Sequence, residues 1–206
     1  MIKAVVFDMD GVLIDAREWH YLALNDALNL FGFNISPNEH LAEFDGLPTS
    51  VKLAKLSRTE DLPVGLHSVI EAIKQDRTLR RAAESCFPRL RHLLLLQELK
   101  RNAYRIGVAT NSIRSTTEAF LNYAGILPYV DVLITNQDVL KPKPFPDCYL
   151  KMAEILDLVP DQILVVEDNP NGIKAASVAG CFVLEVENPN SVSIQSVFRK
   201  LSELNN

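Results

Sequence analysis

Five short apolar runs punctuate the chain: Ala4 to Phe7, Arg105 to Ala109, Val132 to Thr135, Ile163 to Val166, and Phe182 to Val186. They are rich in Val and Ile, and most are apolar at consecutive rather than alternate positions. Such runs suit strands buried on both faces, so they predict a parallel sheet covered by helices. Between them the spacing becomes helical. Leu93, Leu96 and Leu99 precede the second run, and Ala119, Phe120, Tyr123 and Ala124 follow it. Tyr149, Met152, Ala153 and Leu156 precede the fourth, and Ile173, Ala176 and Ala179 follow it. Ile194, Val197, Phe198 and Leu201 mark a closing helix in the tail from Ser191 to Asn206. Strand and helix alternation predicts an α/β domain with a doubly wound parallel sheet.

One stretch breaks the rhythm. From about Ala16 to Phe87 the pattern is helical throughout. Leu24, Leu28 and Phe31 share a face, Val51, Leu53, Ala54 and Leu56 suggest a second helix, and Val69 to Ala83 a third. The reading is therefore a core formed by residues 1–15 and 88–206, with a small all-helical domain, residues 16–87, inserted after the first strand.

Composition narrows the class. Of the 206 residues, 48% are hydrophobic and 23% charged, the profile of a soluble globular chain. A net charge of −5 without a basic stripe excludes a nucleic-acid partner. It also means that any phosphate site must supply its own positive charge. Cys86, Cys148 and Cys181 are odd in number and widely spaced, so they are expected as reduced thiols. The first apolar run ends at Asp8, too soon for a signal peptide, and Leu93-Leu94-Leu95-Leu96 reads as a buried helix face. A cytoplasmic protein with no membrane partner is expected.

Ligands of open parallel sheets bind beyond the carboxyl ends of the strands. Asp8-Met9-Asp10-Gly11 follows the first run, Thr110-Asn111-Ser112 the second, Lys141-Pro142-Lys143-Pro144 the third, and Glu167-Asp168-Asn169 the fourth. Taken singly, each is an ordinary turn, cap or solvated loop charge. Together they crowd carboxylates at one edge, where these repel unless a cation intervenes. Oxygen donors without a His or Cys cluster suit Mg²⁺. Asp8 is then the expected nucleophile, and Asp10 the acid that protonates the leaving oxygen and later deprotonates water. Thr110 and Asn111 face the phosphoryl oxygens, Lys143 holds phosphate and Asp8 together, and Glu167 and Asp168 hold the metal. Asp15 reads as a helix cap and loop anchor.

The run from Asp8 to Asp15 resembles the first motif of the haloacid dehalogenase superfamily. Val108 to Ser112 resembles its second motif, Lys143 to Asp147 its third, and Val165 to Gly172 its fourth. Order and spacing agree over nearly the whole chain. The helical insert resembles the cap of the subfamily that contains β-phosphoglucomutase and many sugar-phosphate phosphatases. The resemblance implies a Rossmann-like core, Mg²⁺ use, a cap that closes over substrate, and a backbone carbonyl of Asp10 on the metal. Two lysines precede the third motif. Lys143 is chosen because Pro146-Asp147 follows at the family distance, with Lys141 as the alternative. In the cap, His20 and Gly46 are candidate substrate contacts, while Lys74 reads by default as a solvated helix lysine, with a reach into the cleft as the alternative. Thr49 stands where the mutases carry an arginine, which weighs against a bisphosphate-gripping mutase.

The expected activity is a Mg²⁺-dependent phosphatase for a small phosphorylated metabolite, a sugar phosphate foremost, through an aspartyl-phosphate on Asp8 in a monomeric protein. The alternative is a phosphomutase of the β-phosphoglucomutase type. A receiver-type signalling domain is disfavoured by the helical insert and by the Asp8/Asp10 pair on the first strand.

Overall fold

The computed structural model describes residues 1–206, which divide into two compact units: Met1–Asp15 with Cys86–Asn206, and Ala16–Ser85. Cys86 and Phe87 thus fall with the first unit, two residues earlier than the helical pattern suggests. Cys86 Sγ lies 3.7 Å from the carbonyl oxygen of Phe120, which ties it there.

The first unit is built on five parallel strands: β1 (Ala4–Phe7), β2 (Arg105–Ala109), β3 (Val132–Ile134), β4 (Ile163–Glu167) and β5 (Phe182–Glu185). Their order is β3-β2-β1-β4-β5. The chain therefore winds outward from β1 in one direction, then returns and winds outward in the other. β1 lies between β2 and β4, with Phe7 level with Val108 and Val166. Every residue of β1 and β4 is buried, as consecutive Val and Ile residues predict for strands covered on both faces.

Helices α5 (Leu90–Arg101), α6 (Arg114–Tyr123), α7 (Asp147–Leu156), α8 (Pro170–Ala179) and α9 (Ile194–Asn205) complete this unit. One sheet face packs Val6, Ala109, Ile134 and Val165 against Tyr149, Met152, Ala175 and Ala176. Each large side chain removed from water there contributes about 1.5–3 kcal/mol. Helix starts and stops follow local chemistry. Pro170 opens α8 behind Asn169, whose side chain accepts from the Asn171 N–H, and Gly180 closes it with a left-handed backbone. Ser193 caps α9 by accepting from the Ser196 N–H. The tetraleucine is less buried than its composition suggests, because Leu95 and Leu96 face the interior while Leu94 is exposed.

The second unit contains α1 (Arg17–Asn29), a short α2 (Pro37–Glu39) running into a π-helical turn at His40–Phe44, α3 (Thr49–Thr59) and α4 (His67–Ser85). Leu24, Leu28, Ile35, Phe44, Leu53, Leu56, Leu62 and Ile70 form its core. The loop after α1 is pinned by Asn25, whose side chain donates to the Ile35 carbonyl at 2.9 Å and accepts from the Ile35 N–H at 2.8 Å. The helix cap expected of Asp15 is not made. Ala16 occupies the N-cap of α1 without a side-chain bond, and the Asp15 carboxylate faces Arg89 at 3.7 Å. No helix is long and apolar enough to cross a membrane.

Candidate active site

The carboxyl ends of β1, β2 and β4 deliver their next residues to one edge. Asp8 follows β1 directly, and its N–H donates to the Val166 carbonyl at 3.0 Å, continuing the ladder toward β4. The chain then turns sharply. The Met9 carbonyl accepts from the N–H groups of Leu13 and Ile14 at 3.0 and 2.9 Å, and Gly11 takes φ 91°, a left-handed conformation that side chains resist. This turn sets half-buried Asp10 beside Ser112, whose hydroxyl donates to Asp10 Oδ2 at 2.8 Å. Sequence reasoning left Ser112 without a role. Its signals there are its place two residues past Thr110 and its position at the end of the run that resembles the second motif.

Lys143 reaches this edge from the loop after β3. Its Nζ donates to Asp8 Oδ1 at 2.6 Å, to Glu167 Oε1 at 2.6 Å and to the Ala109 carbonyl at 2.8 Å. Three donors meet three acceptors, so the ammonium is fully satisfied. Lys141 instead lies with its Nζ 5.1 Å from the centroid of the Phe145 ring. Asn111 clamps the Lys143 backbone from both sides, donating to its carbonyl at 3.1 Å and accepting from its N–H at 3.0 Å. Thr110 is buried, and its Oγ1 accepts from the Ser112 N–H at 3.1 Å. Its hydroxyl proton therefore remains for another acceptor.

Glu167 is fully buried and equally well held. Oε1 accepts from Lys143 and, at 3.0 Å, from the Tyr149 hydroxyl. Oε2 accepts from the N–H groups of Asp168 and Asn169 at 3.0 and 3.2 Å. The start of α8 passes so close that a Cβ on Gly172 would sit 1.7 Å from Glu167 Oε1. A side chain there would force the carboxylate or α8 to shift.

The electrostatics follow from this crowding. Asp8 has its pKa pushed well above the ordinary carboxylate range. Burial is the main cause; Lys143 opposes it, while Glu167, Asp168 and Asp10 add to it. Burial alone would lower Lys143, but the adjacent Asp8 and Glu167 outweigh that and raise it, keeping it charged. Asp8 and Glu167 thus share the Lys143 ammonium, while Asp168 and Asp10 add negative charge near Asp8. Ligand oxygens of Asp8, Glu167 and Asp168 lie within 4.8 Å of one another. A hard divalent ion suits these donors.

His20 and Gly46 belong to the helical unit. His20 Nδ1 lies 3.0 Å from Lys74 Nζ, so Lys74 is not the solvated lysine its helical context suggests. Gly46 is exposed with φ 71° at the turn before α3.

A family model described as haloacid dehalogenase-like hydrolase matches residues 5–186. A pyrophosphatase of Bacillus mycoides is 29% identical over 181 residues, covering 87% of this chain and 80% of that protein. A phosphorylated carbohydrates phosphatase of Thermotoga maritima is 26% identical over 190 residues, covering 87% and 82%. Among solved structures, a β-phosphoglucomutase of Clostridium difficile superposes with a TM-score of 0.85 at 22% identity, covering 98% of each chain, a likeness of fold.

Proposed function

We infer that this chain, which belongs to the haloacid dehalogenase-like hydrolase family, is a Mg²⁺-dependent phosphatase acting on a small phosphorylated metabolite, a sugar phosphate foremost. The observation that carries this reading is the buried ammonium of Lys143, 2.6 Å from both Asp8 and Glu167 at the strand ends. A phosphate ester and an acceptor carboxylate repel each other, so they meet only where positive charge is already fixed. The phosphatase names carried by relatives from Bacillus mycoides and Thermotoga maritima support the same class of substrate.

Asp8, Glu167 and Asp168, with the backbone carbonyl of Asp10, are the groups proposed to hold Mg²⁺. Bound there, the ion would neutralise charge on the phosphate and on Asp8. The remaining chemistry belongs to the chain. An Asp8 carboxylate oxygen attacks phosphorus, the phosphorus–oxygen bond to the leaving group breaks, and Asp10 gives that oxygen its proton. The carboxylate of Asp10, oriented by Ser112, then takes a proton from water. The water oxygen attacks phosphorus, the acyl-phosphate bond breaks, and Asp8 and inorganic phosphate are released. Lys143 keeps Asp8 aimed throughout, and the Thr110 hydroxyl donates to a phosphoryl oxygen. His20 and Gly46 are proposed as substrate contacts supplied by the helical unit. The three free cysteines support a reducing, cytoplasmic setting.

The test is phosphate release from sugar phosphates, pyrophosphate and an aryl phosphate, with Mg²⁺ or EDTA, for the wild type and Asp8→Asn. Release that needs Mg²⁺ and falls roughly 10,000-fold in the variant is expected. Near-normal release by Asp8→Asn would overturn the mechanism. Isomerised sugar phosphate in place of free phosphate would replace hydrolysis with a phosphomutase reaction.

A further inference from the structure

Tyr149 has no part in the chemistry above, yet it sits under it. It occupies the first turn of α7, just after the loop that carries Lys143, and is completely buried. Packing alone needs only a phenyl ring there. A hydroxyl taken from water without a partner costs free energy, so its placement calls for an acceptor. That acceptor is Glu167 Oε1, 3.0 Å away. A phenol hydroxyl has one proton to donate, and the geometry directs it to that oxygen. The ring lies beneath the same ammonium, with Lys143 Nζ 5.1 Å from its centroid.

We propose that the Tyr149 hydroxyl is a positioning group for phosphoryl transfer, holding the Glu167 carboxylate so that Lys143 stays directed at Asp8. The inference rests on the reading of Asp8 as phosphoryl acceptor. Glu167 divides its two acceptor oxygens between two sets of donors. Oε2 is fixed by two backbone N–H groups of the adjoining chain. Oε1 has two donors, Lys143 and Tyr149, and Gly172 closes the space beside it. Lys143 is pulled equally by Asp8 and Glu167, each at 2.6 Å. Without the phenol, Oε1 draws on the ammonium alone, and the contest for Lys143 shifts away from Asp8. Tyr149 touches neither the reacting oxygen nor phosphorus in this scheme. It acts through Glu167.

Tyr149→Phe keeps the ring and removes only the hydroxyl. The expected result is a fall in kcat of about tenfold, with KM changed by less than about twofold and near-UV circular dichroism unchanged. In a Glu167→Gln background the same substitution should cost less than about twofold more, because its target is already altered. A purely structural tyrosine would cost as much in both backgrounds. The Lys143 side-chain ammonium, followed by ¹H–¹⁵N NMR without substrate, should shift in Tyr149→Phe. Wild-type kcat in Tyr149→Phe, or equal losses in the two backgrounds, would overturn the proposal. If the wild type releases no phosphate from any compound, the phosphatase reading fails instead, and the ammonium resonance decides. An unmoved resonance then overturns the role of Tyr149, and a shifted one sustains its hold on Lys143.

Discussion

Lys143 in the sheet unit and His40 in the helical unit are both nearly inaccessible, 4% and 5% exposed, yet their surroundings treat them differently. Lys143 arrives charged at a place where strand ends supply two carboxylates and a carbonyl. His40 arrives beside the edge of Tyr21, ring centroids 4.9 Å apart, and its Nε2 has no hydrogen-bond partner. Its pKa is lowered to about 4, chiefly by burial and then by Lys52, with Asp45 opposing. The sheet unit buries a charge by surrounding it with fixed opposite charge. Around His40 the helical unit buries a titratable ring by keeping it neutral, as the sheet unit does with His92, so the contrast is one of sites. Parallel strand ends converge backbone and side-chain acceptors on a point, whereas helices satisfy their own backbone and offer little to a neighbour.

The sharpest way to break this contrast is Lys143→Met. It leaves Asp8 and Glu167 buried without their counter-charge, and a loss of about 3–5 kcal/mol in urea unfolding is expected along with loss of phosphate release. Lys141→Met, which removes only the contact with the Phe145 ring, should change stability by less than about 1 kcal/mol. Equal effects from the two lysines would remove the distinction between them.

The helical unit is tested by pH. The folded pKa of His40, about 4, lies below its ordinary value of 6.5, so the unfolded chain binds this proton more readily. The resulting penalty is absent above about pH 6.5, grows as pH falls, and levels off below about pH 4. It amounts to about 3 kcal/mol in full. His40→Leu should flatten that acid limb in urea midpoints measured from pH 7 to pH 4. A limb of undiminished slope would show that His40 is not its source.

Gly172→Ala asks whether the sheet site tolerates a methyl group. With a Cβ 1.7 Å from Glu167 Oε1, either α8 or the carboxylate must move. A loss of about 1–3 kcal/mol is expected from overpacking, accompanied by reduced turnover. Wild-type stability and rate together would mean that Glu167 has slack that the hydrogen bonds do not suggest. Least of all should Arg80→Ala matter. Its pair with Asp76, one turn away on α4, is exposed and worth less than about 0.5 kcal/mol. A loss above 1 kcal/mol in thermal or urea unfolding would contradict that.

Apolar runs and helical spacing were enough to read the α/β class, the five strands to within a residue at their ends, and the helical stretch after β1. These depend on the local period of side chains, which the chain displays directly. The strand-end groups were also legible, because ligands collect where parallel strands stop. Partner choice was not. Lys143 and Asp8 are 135 residues apart, Ser112 and Asp10 are 102 apart, and nothing between them in the chain announces either contact. Tyr149 reads as one more apolar position on a helix face until the packing of α7 on the sheet brings its hydroxyl to Glu167. Asn111 reads as a contact for phosphoryl oxygens, but the loop after β3 folds the Lys143 backbone onto both ends of its amide. His40 carries no pattern at all, since its burial depends on a π-helical turn set by packing around Phe44. Local sequence determined which segments become strands and helices and which chemical groups stand at their ends. Tertiary structure decided which of those groups meet, because hydrogen bonds and ion pairs require ångström-scale proximity, and residues far apart in the chain acquire it only when the layers pack.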